Sequence, residues 1–440
     1  SVLDAWSVPV NARMTANEID TIKAHCAPRF VVLGTGLSTA AQAHAQRYGA
    51  VTQEQESNGN NDWVYALTPS DASARPEPIA QHCREQVAML IYTSGTTGTP
   101  KGVMLTHSNL GNSAMTASGV RGTGPTDHVY SALPLSHAYG ISTVTLAALN
   151  AGAKLQLASR FDVAAVIEAL NDGVSMLHGV PAMYLRLLQA HEQGHAIHAP
   201  NIRLLHCGGA PLDPSLKTSI EHVFKAPINN GYGLTEASPT ITMVPYRQRR
   251  DDLSVGYVIP GVDYRIVDEQ GQSVAAGEVG ELLVRGPNIM QGYYKNPQET
   301  ARVLDSDGWL RTEDLVSEGP DGALYIKGRL KELIIRSGFN VYPTEVEAAL
   351  NAHPAVQYSC VVGVHLETEE RIAAFIVLKP EHSLDEQALG DFTRERLTPY
   401  KRPQHVVFVE QLPLATNGKV LRNEVQRMAQ EHVASMAHQL

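Results

Sequence analysis

Short runs of β-branched and apolar residues alternate with stretches of helical periodicity through the first half of the chain, and that alternation limits the folds open to it. Phe30 to Leu33, Val87 to Tyr92, Leu155 to Leu157 and Ile202 to His206 read as strands, whereas Ala164 to Asn171 and Ala182 to His191 read as helices. Strands separated by helices pair in parallel through crossover connections, so the pattern predicts an α/β fold of doubly wound sheets. With 440 residues and 43% hydrophobic content the chain can bury a large core, and its length fits two to three domains.

Two changes of texture divide the remainder. From Ser254 to Lys327 the strand-like pieces DYRIVD, GELLVRG and ALYIKG are separated by Gly, Pro and Asp turns, which predicts a small antiparallel β subdomain. Near Arg329 a third texture begins, with a helix opened by Pro343, the strands YSCVVGV and RIAAFIVLK, another helix, and a final strand and helix. The expected division is a large domain over 1–330 and a smaller, mobile α+β C-terminal domain over 331–440. No repeat of solenoid or propeller period is present in the sequence.

A formal net charge of −10, with both signs interspersed, leaves no basic stripe to neutralise a nucleic acid, so none is expected as a partner. The four cysteines, Cys26, Cys83, Cys207 and Cys360, lie too far apart in sequence for a zinc site and read as free thiols in a reducing compartment. No run approaches the roughly 18 to 20 apolar residues of a membrane span, and the first twenty residues lack the pattern of a signal peptide. The expected setting is the cytoplasm.

The stretch YTSGTTGTPKG, 92–102, packs hydroxyls and glycines ahead of a single lysine. Such a loop can bring backbone N–H groups and hydroxyls close to phosphate oxygens, because glycine removes the Cβ that would block approach. It follows the apolar run VAMLIYT and so is expected where open α/β sheets place ligand loops. It is not a Walker A loop, since Lys101 is followed by Gly102 rather than Ser or Thr. Alone, it is as readily a solvent turn.

Four further stretches follow in order: NNGYGLTEAS at 229–238, GWLRTEDL at 308–315, GRLKELIIRSGFNVYPTEVE at 328–347 and LPLATNGKVLR at 412–422. Together with YTSGTTGTPKG they resemble the adenylate-forming superfamily of acyl-CoA synthetases, luciferases and adenylation domains, over a span from about residue 8 to the last helix. Two departures stand out. Family members carry several tens of residues before VPVNARMTANEI, so the chain is expected to begin late, and TED stands where TGD is commoner.

The resemblance implies a reaction in which an acid attacks the α-phosphate of ATP, releases pyrophosphate and leaves an acyl-adenylate. It implies that Thr93, Ser94, Gly95, Thr96, Thr97, Gly98 and Lys101 hold phosphates, that Thr235 donates to a phosphate, and that Glu236 binds Mg2+. Tyr232 and Gly233 would meet the adenine, with Gly208, Gly209 and Ala210 on its other side. Asp314 would accept the ribose hydroxyls, Arg329 would contact ribose or phosphate, and Lys419 would bridge the α-phosphate and the acid. His137, Ala138, Gly140, Gly231 and Ser238 would bound the acid pocket. Lys331 matches the hinge position, and Ser337, Gly338 and Phe339 match the loop lining the tunnel for CoA.

No acidic residue follows LPLSH, where amino-acid-activating relatives hold the substrate ammonium; Ala138, Tyr139, Gly140 and Ile141 stand there instead. A buried ammonium without a partner costs several kcal/mol, so an apolar pocket for a fatty or aromatic acid is expected. The expected activity is AMP-forming acid–CoA ligation with ATP, Mg2+ and CoA. The alternatives are a stand-alone enzyme loading a carrier-protein phosphopantetheine thiol, a luciferase-type oxidation, or a degenerate nucleotide-binding regulator. A carrier protein and a homodimer stay open as partners.

Overall fold

The computed structural model describes residues 5–55, 63–71, 73–77, 79–93, 100–336, 339–365, 370–414 and 420–437. Its largest sheet has seven strands in the order Tyr257–Val258, Thr240–Met243, Ile228–Gly233, Leu204–Cys207, Met176–Gly179, His128–Ser131, Lys154–Leu157. The last five pair in parallel, and the first two extend the sheet antiparallel. Helices Val163–Asn171, Pro181–Glu192 and Pro214–Phe224 make the crossovers. Asp162 and Asp213 cap the first and third through backbone N–H groups, and proline opens the second and third. Strands His128–Ser131, Met176–Gly179 and Leu204–Cys207 are buried at every position, as a parallel sheet covered on both faces requires.

The alternation read from sequence is realised for the runs at 155–157 and 202–206, whereas those at 30–33 and 87–92 pair antiparallel. The Gly/Thr loop does not join a parallel strand to a helix; it closes an antiparallel hairpin of Val87–Thr93 and Lys101–Thr106, with Gly292–Tyr293 as third strand. The physical reason is length, since seven residues suffice for a hairpin but not for a crossover. A small antiparallel sheet of Val32–Leu33, Trp63–Leu67 and Val51–Gln55 lies nearer the N-terminus.

The expected β subdomain is a four-stranded antiparallel sheet of Asp263–Val267, Val279–Arg285, Leu310–Glu318 and Leu324–Arg329. Its last pairing sets Asp314 opposite Arg329. A helical turn, Leu330–Glu332, then leads to the hairpin Ile334–Arg336 and Phe339–Val341. Beyond it, strands Val356–His365, Glu370–Leu378 and His405–Phe408 form a sheet with helices Pro343–Asn351, Glu386–Arg394 and Arg422–Ala437. This unit has apolar cores of its own, one around Ile334, Val346, Val361 and Ile372, the other around Phe375, Val425 and Ala429. Arg422 binds both oxygens of buried Glu347 and reaches Glu332 at 3.3 Å, tying the last helix to the connecting turn.

Candidate active site

At the carboxyl edge of the large sheet, strand Ile228–Gly233 delivers Tyr232 and then turns through Thr235–Ala237. The turn requires glycine at 233, because a Cβ there would stand 1.9 Å from the carbonyl oxygen of Pro239. Tyr232 donates its hydroxyl to Asp314 Oδ2 at 2.5 Å, and Arg329 Nε lies 3.1 Å from Oδ1. Burial, reinforced by the Asp314 carboxylate, pushes the Tyr232 phenol well above its ordinary range, so it stays a donor. Asp314 holds the Arg329 guanidinium above its ordinary value. Strand register therefore assembles three of the expected nucleotide contacts from segments 82 residues apart.

A second group forms around Tyr293. Its hydroxyl donates to Glu236 Oε1 at 2.8 Å, while Lys101 lies over its ring, 5.1 Å from the centroid. Lys101 is 12% exposed and forms an ion pair with Glu299, and Thr93 pairs across the hairpin from it. Expected phosphate and metal ligands thus meet through a tyrosine that sequence reasoning did not single out. Ser94, Gly95, Thr96, Thr97 and Gly98 lie outside the described residues, as do Ser337, Gly338 and Lys419. Among the described residues no three His, Cys, Asp or Glu side chains cluster as a metal cage.

Gly208, Gly209 and Ala210 follow strand Leu204–Cys207, with Gly209 at a φ of 80°. A Cβ on Gly208 would stand 3.5 Å from the Gly231 carbonyl, so the two glycine segments face each other. His137 is half-buried and precedes a π-helical segment, Tyr139–Leu146, an irregularity frequent at functional sites. Gly140 sits where a Cβ would meet the Pro134 carbonyl at 2.4 Å, and Ala138 and Ser238 are buried. Ser142 Oγ donates to the Ser238 carbonyl at 2.8 Å, joining the 137–142 and 231–239 segments. These contacts bring the 139–142, 208–210 and 231–239 segments together.

Polar groups stand behind these glycine segments. Tyr139 Oη and His206 Nδ1 are 2.7 Å apart, and Arg121 Nη2 is 3.5 Å from His206 Nε2. These residues lie outside the matching motifs; only the His206–Cys207–Gly208–Gly209 run signals that a polar group backs the glycine wall.

At the connecting turn Lys331 Nζ lies 3.3 Å from Glu313, which also accepts from Arg302 at 2.6 Å. Glu313 has a φ of 58°, the left-handed region that favours glycine, which explains why TGD is the commoner triplet. Burial alone would raise the Glu313 carboxyl, but Arg302 and Lys331 hold it below its usual range. Arg302 also lies 3.4 Å from Glu299, so ion pairs run from Lys101 through Glu299, Arg302 and Glu313 to Lys331. Phe339 is exposed and stacks on Tyr400, centroids 4.6 Å apart.

The AMP-binding enzyme family matches residues 3–294, and the AMP-binding enzyme C-terminal domain matches residues 345–419. A feruloyl-CoA synthase of an Amycolatopsis species is 36% identical over 346 residues, 78% of this chain and 70% of its own. A long-chain-fatty-acid–CoA ligase of Bacillus subtilis is 37% identical over 344 residues, 77% of this chain and 61% of its own. The ATP-bound structure of MatB from Rhodopseudomonas palustris, 30% identical, superimposes with a TM-score of 0.83, covering 97% of this chain and 84% of that one. The apo structure of the same protein covers the same shares with a TM-score of 0.72, so the arrangement seen here is nearer the ATP-bound one. With both parts of its length matched in order and relatives above 30% identity over more than three quarters of it, the chain belongs to the AMP-binding, adenylate-forming enzyme family.

Proposed function

We propose that this chain is an AMP-forming acid–thiol ligase that activates a carboxylic acid with ATP and transfers the acyl group to CoA. The observation that carries the reading is the junction of Tyr232, Asp314 and Arg329 beside Glu236 and Lys101 at the carboxyl edge of the sheet, where open α/β folds bind ligands. A carboxylate resists nucleophiles until its oxygen becomes a good leaving group, and transfer to AMP supplies one. The chain's part is positioning and charge stabilisation, the main work in phosphoryl chemistry. Asp314 offers carboxylate oxygens to both ribose hydroxyls, Tyr232 presents a ring to adenine, and Thr235, Thr93 and Lys101 would hold phosphates. Glu236, a hard oxygen donor with one oxygen engaged by Tyr293, fits Mg2+, which typically takes one or two carboxylates plus substrate phosphates; bound there, Mg2+ would offset phosphate charge. We take 331–440 as the mobile domain, turning at Lys331 between the two half-reactions.

The test is pyrophosphate release across fatty, aryl and amino acids, with ATP and Mg2+, followed by thioester formation with CoA or with a phosphopantetheinylated carrier protein. Acid-dependent release with transfer to CoA is the expected result. Transfer only to the carrier protein would reassign the acceptor, and release best supported by free amino acids would refute the acid class.

Asp314→Asn keeps the shape of the side chain and removes its charge. Two hydroxyls donating to a carboxylate are worth more than to an amide, so KM for ATP should rise roughly 10- to 100-fold while KM for the acid changes little. An unchanged KM for ATP would remove Asp314 from the nucleotide site.

A further inference from the structure

Lys101 and Glu236 carry opposite charges and are expected to serve one nucleotide, yet among the described residues no ion pair joins them. Tyr293 stands between them. Its hydroxyl donates to Glu236 Oε1 at 2.8 Å, and its ring faces the Lys101 ammonium, 5.1 Å from the centroid. The hydrogen bond engages one carboxylate oxygen and leaves the other to a ligand. Lys101 pairs with Glu299 instead. Were the ammonium and the Glu236 carboxylate to meet directly, each would neutralise the other, and the pair would have to be pulled apart before ATP could use either.

The tyrosine is firmly mounted. It is 6% exposed and lies on the short strand Gly292–Tyr293, which pairs with the lysine's own strand through Tyr293 opposite Val103. Tyr294 N–H donates to the Gly102 carbonyl at 2.8 Å, and Met290 N–H donates to the Glu236 carbonyl at 2.8 Å. One segment, 290–294, therefore holds the backbone of both the lysine strand and the glutamate turn. Tyr293 N–H in turn donates to Thr300 Oγ1 at 2.9 Å, in helix Pro297–Val303, whose first turn carries Glu299. A ring packed this tightly has little freedom to leave its place.

We propose that Tyr293 is a positioning residue for the adenylating step: its hydroxyl orients the Glu236 carboxylate toward the divalent cation on ATP, and its ring keeps Lys101 apart from that carboxylate and available to the phosphates. The inference rests on the ligase activity proposed above and adds to it a residue outside the matching motifs. A carboxylate that ligates a metal is itself held by hydrogen bonds, and loss of such a partner costs about 10- to 100-fold in metal affinity or activity. A phenol protonated at neutral pH donates to one oxygen and fixes the carboxylate without cancelling its charge. An ammonium in the same place would cancel it.

The experiment measures ATP binding to the full chain by calorimetry with no acid present, once with saturating Mg2+ and once with EDTA. The native chain should bind ATP in both, more tightly with Mg2+. Tyr293→Phe keeps the ring and loses the hydroxyl, so Kd with Mg2+ should rise about tenfold or more while Kd in EDTA stays within about twofold of native. On a Glu236→Ala background, where no carboxylate remains to orient, Tyr293→Phe should change neither value, since its effect acts through that partner. Tyr293→Leu removes the ring as well and should also weaken binding severalfold in EDTA, because Lys101 is then free to pair with Glu236. An equal rise in both conditions for Tyr293→Phe would make the tyrosine a packing residue and overturn the proposal. No change in either condition, or a Mg2+-dependent loss that persists on the Glu236→Ala background, would overturn it too. No binding of ATP by the native chain would refute the ligase activity itself, a distinct outcome that takes this inference with it.

Discussion

Lys419→Ala should lower acid-dependent pyrophosphate release by about 10² to 10³-fold, the usual loss when one preorganised donor to a developing charge is removed. A chemically supplied acyl-adenylate should still react with CoA at near the native rate, because the charge that the family resemblance gives Lys419 to stabilise would develop only while the adenylate forms. The residue lies outside the described segments; Leu414 and Val420, on either side of it in sequence, form an antiparallel bridge. The comparison of half-reactions is what gives the experiment its force. A lysine on a solvated loop would, when removed, change neither step; one that supports folding would depress both. Pyrophosphate release at near the native rate in the variant would remove Lys419 from the first step.

Much of the site was legible because its residues sit in short motifs whose chemistry is local. Tyr232 lies near the end of a strand whose following turn holds Thr235 and Glu236, and Asp314 and Arg329 pair across two strands within the region that the turn-rich spacing marks as antiparallel. Which residues those side chains touch before substrate arrives was not legible. Tyr293 on Glu236, Glu299 on Lys101 and Arg302 on Glu313 are contacts across 57, 198 and 11 positions, set by how a hairpin and two sheets converge. Periodicity reports which face of an element is buried, not which distant carboxylate it meets. Arg121 shows the same limit more sharply, since an arginine at a helix end reads from sequence as a solvated C-terminal charge. Only packing of the π-helical segment and the glycine wall around it makes it a buried one. The antiparallel pairing of the strands around the Gly/Thr stretch is not legible for a different reason: a strand followed by a glycine-rich stretch occurs in both parallel and antiparallel settings, and the length of the connection decides between them.

Lys331→Pro should retain adenylation and lose most of the thioester-forming step. Lys331 occupies a helical turn, Leu330–Glu332, whose φ range of about −50 to −70° is the one proline imposes. The substitution therefore suits the arrangement seen here, the one nearer an ATP-bound relative, and opposes any other value of φ at that residue. The proposed function gives Lys419 and residues 337–339 different half-reactions at one site, and a domain turning at Lys331 is how both would be used. Proline also deletes the ion pair with Glu313, so charge and backbone effects need separating. Lys331→Ala does so: it removes the ammonium and leaves φ free, and an exposed pair of this kind contributes about 1 kcal/mol or less. Both half-reactions of Lys331→Ala should stay within severalfold of native, with the turn, if anything, released from Glu313. Equal loss of both steps in Lys331→Pro would indicate misfolding, and no loss in either would move the pivot away from this residue. Loss of the thioester step in Lys331→Ala as well would transfer the effect from the backbone to the ion-pair chain that links Lys331 through Glu313, Arg302 and Glu299 to Lys101, making phosphate occupancy of the first site the signal that frees the domain to turn.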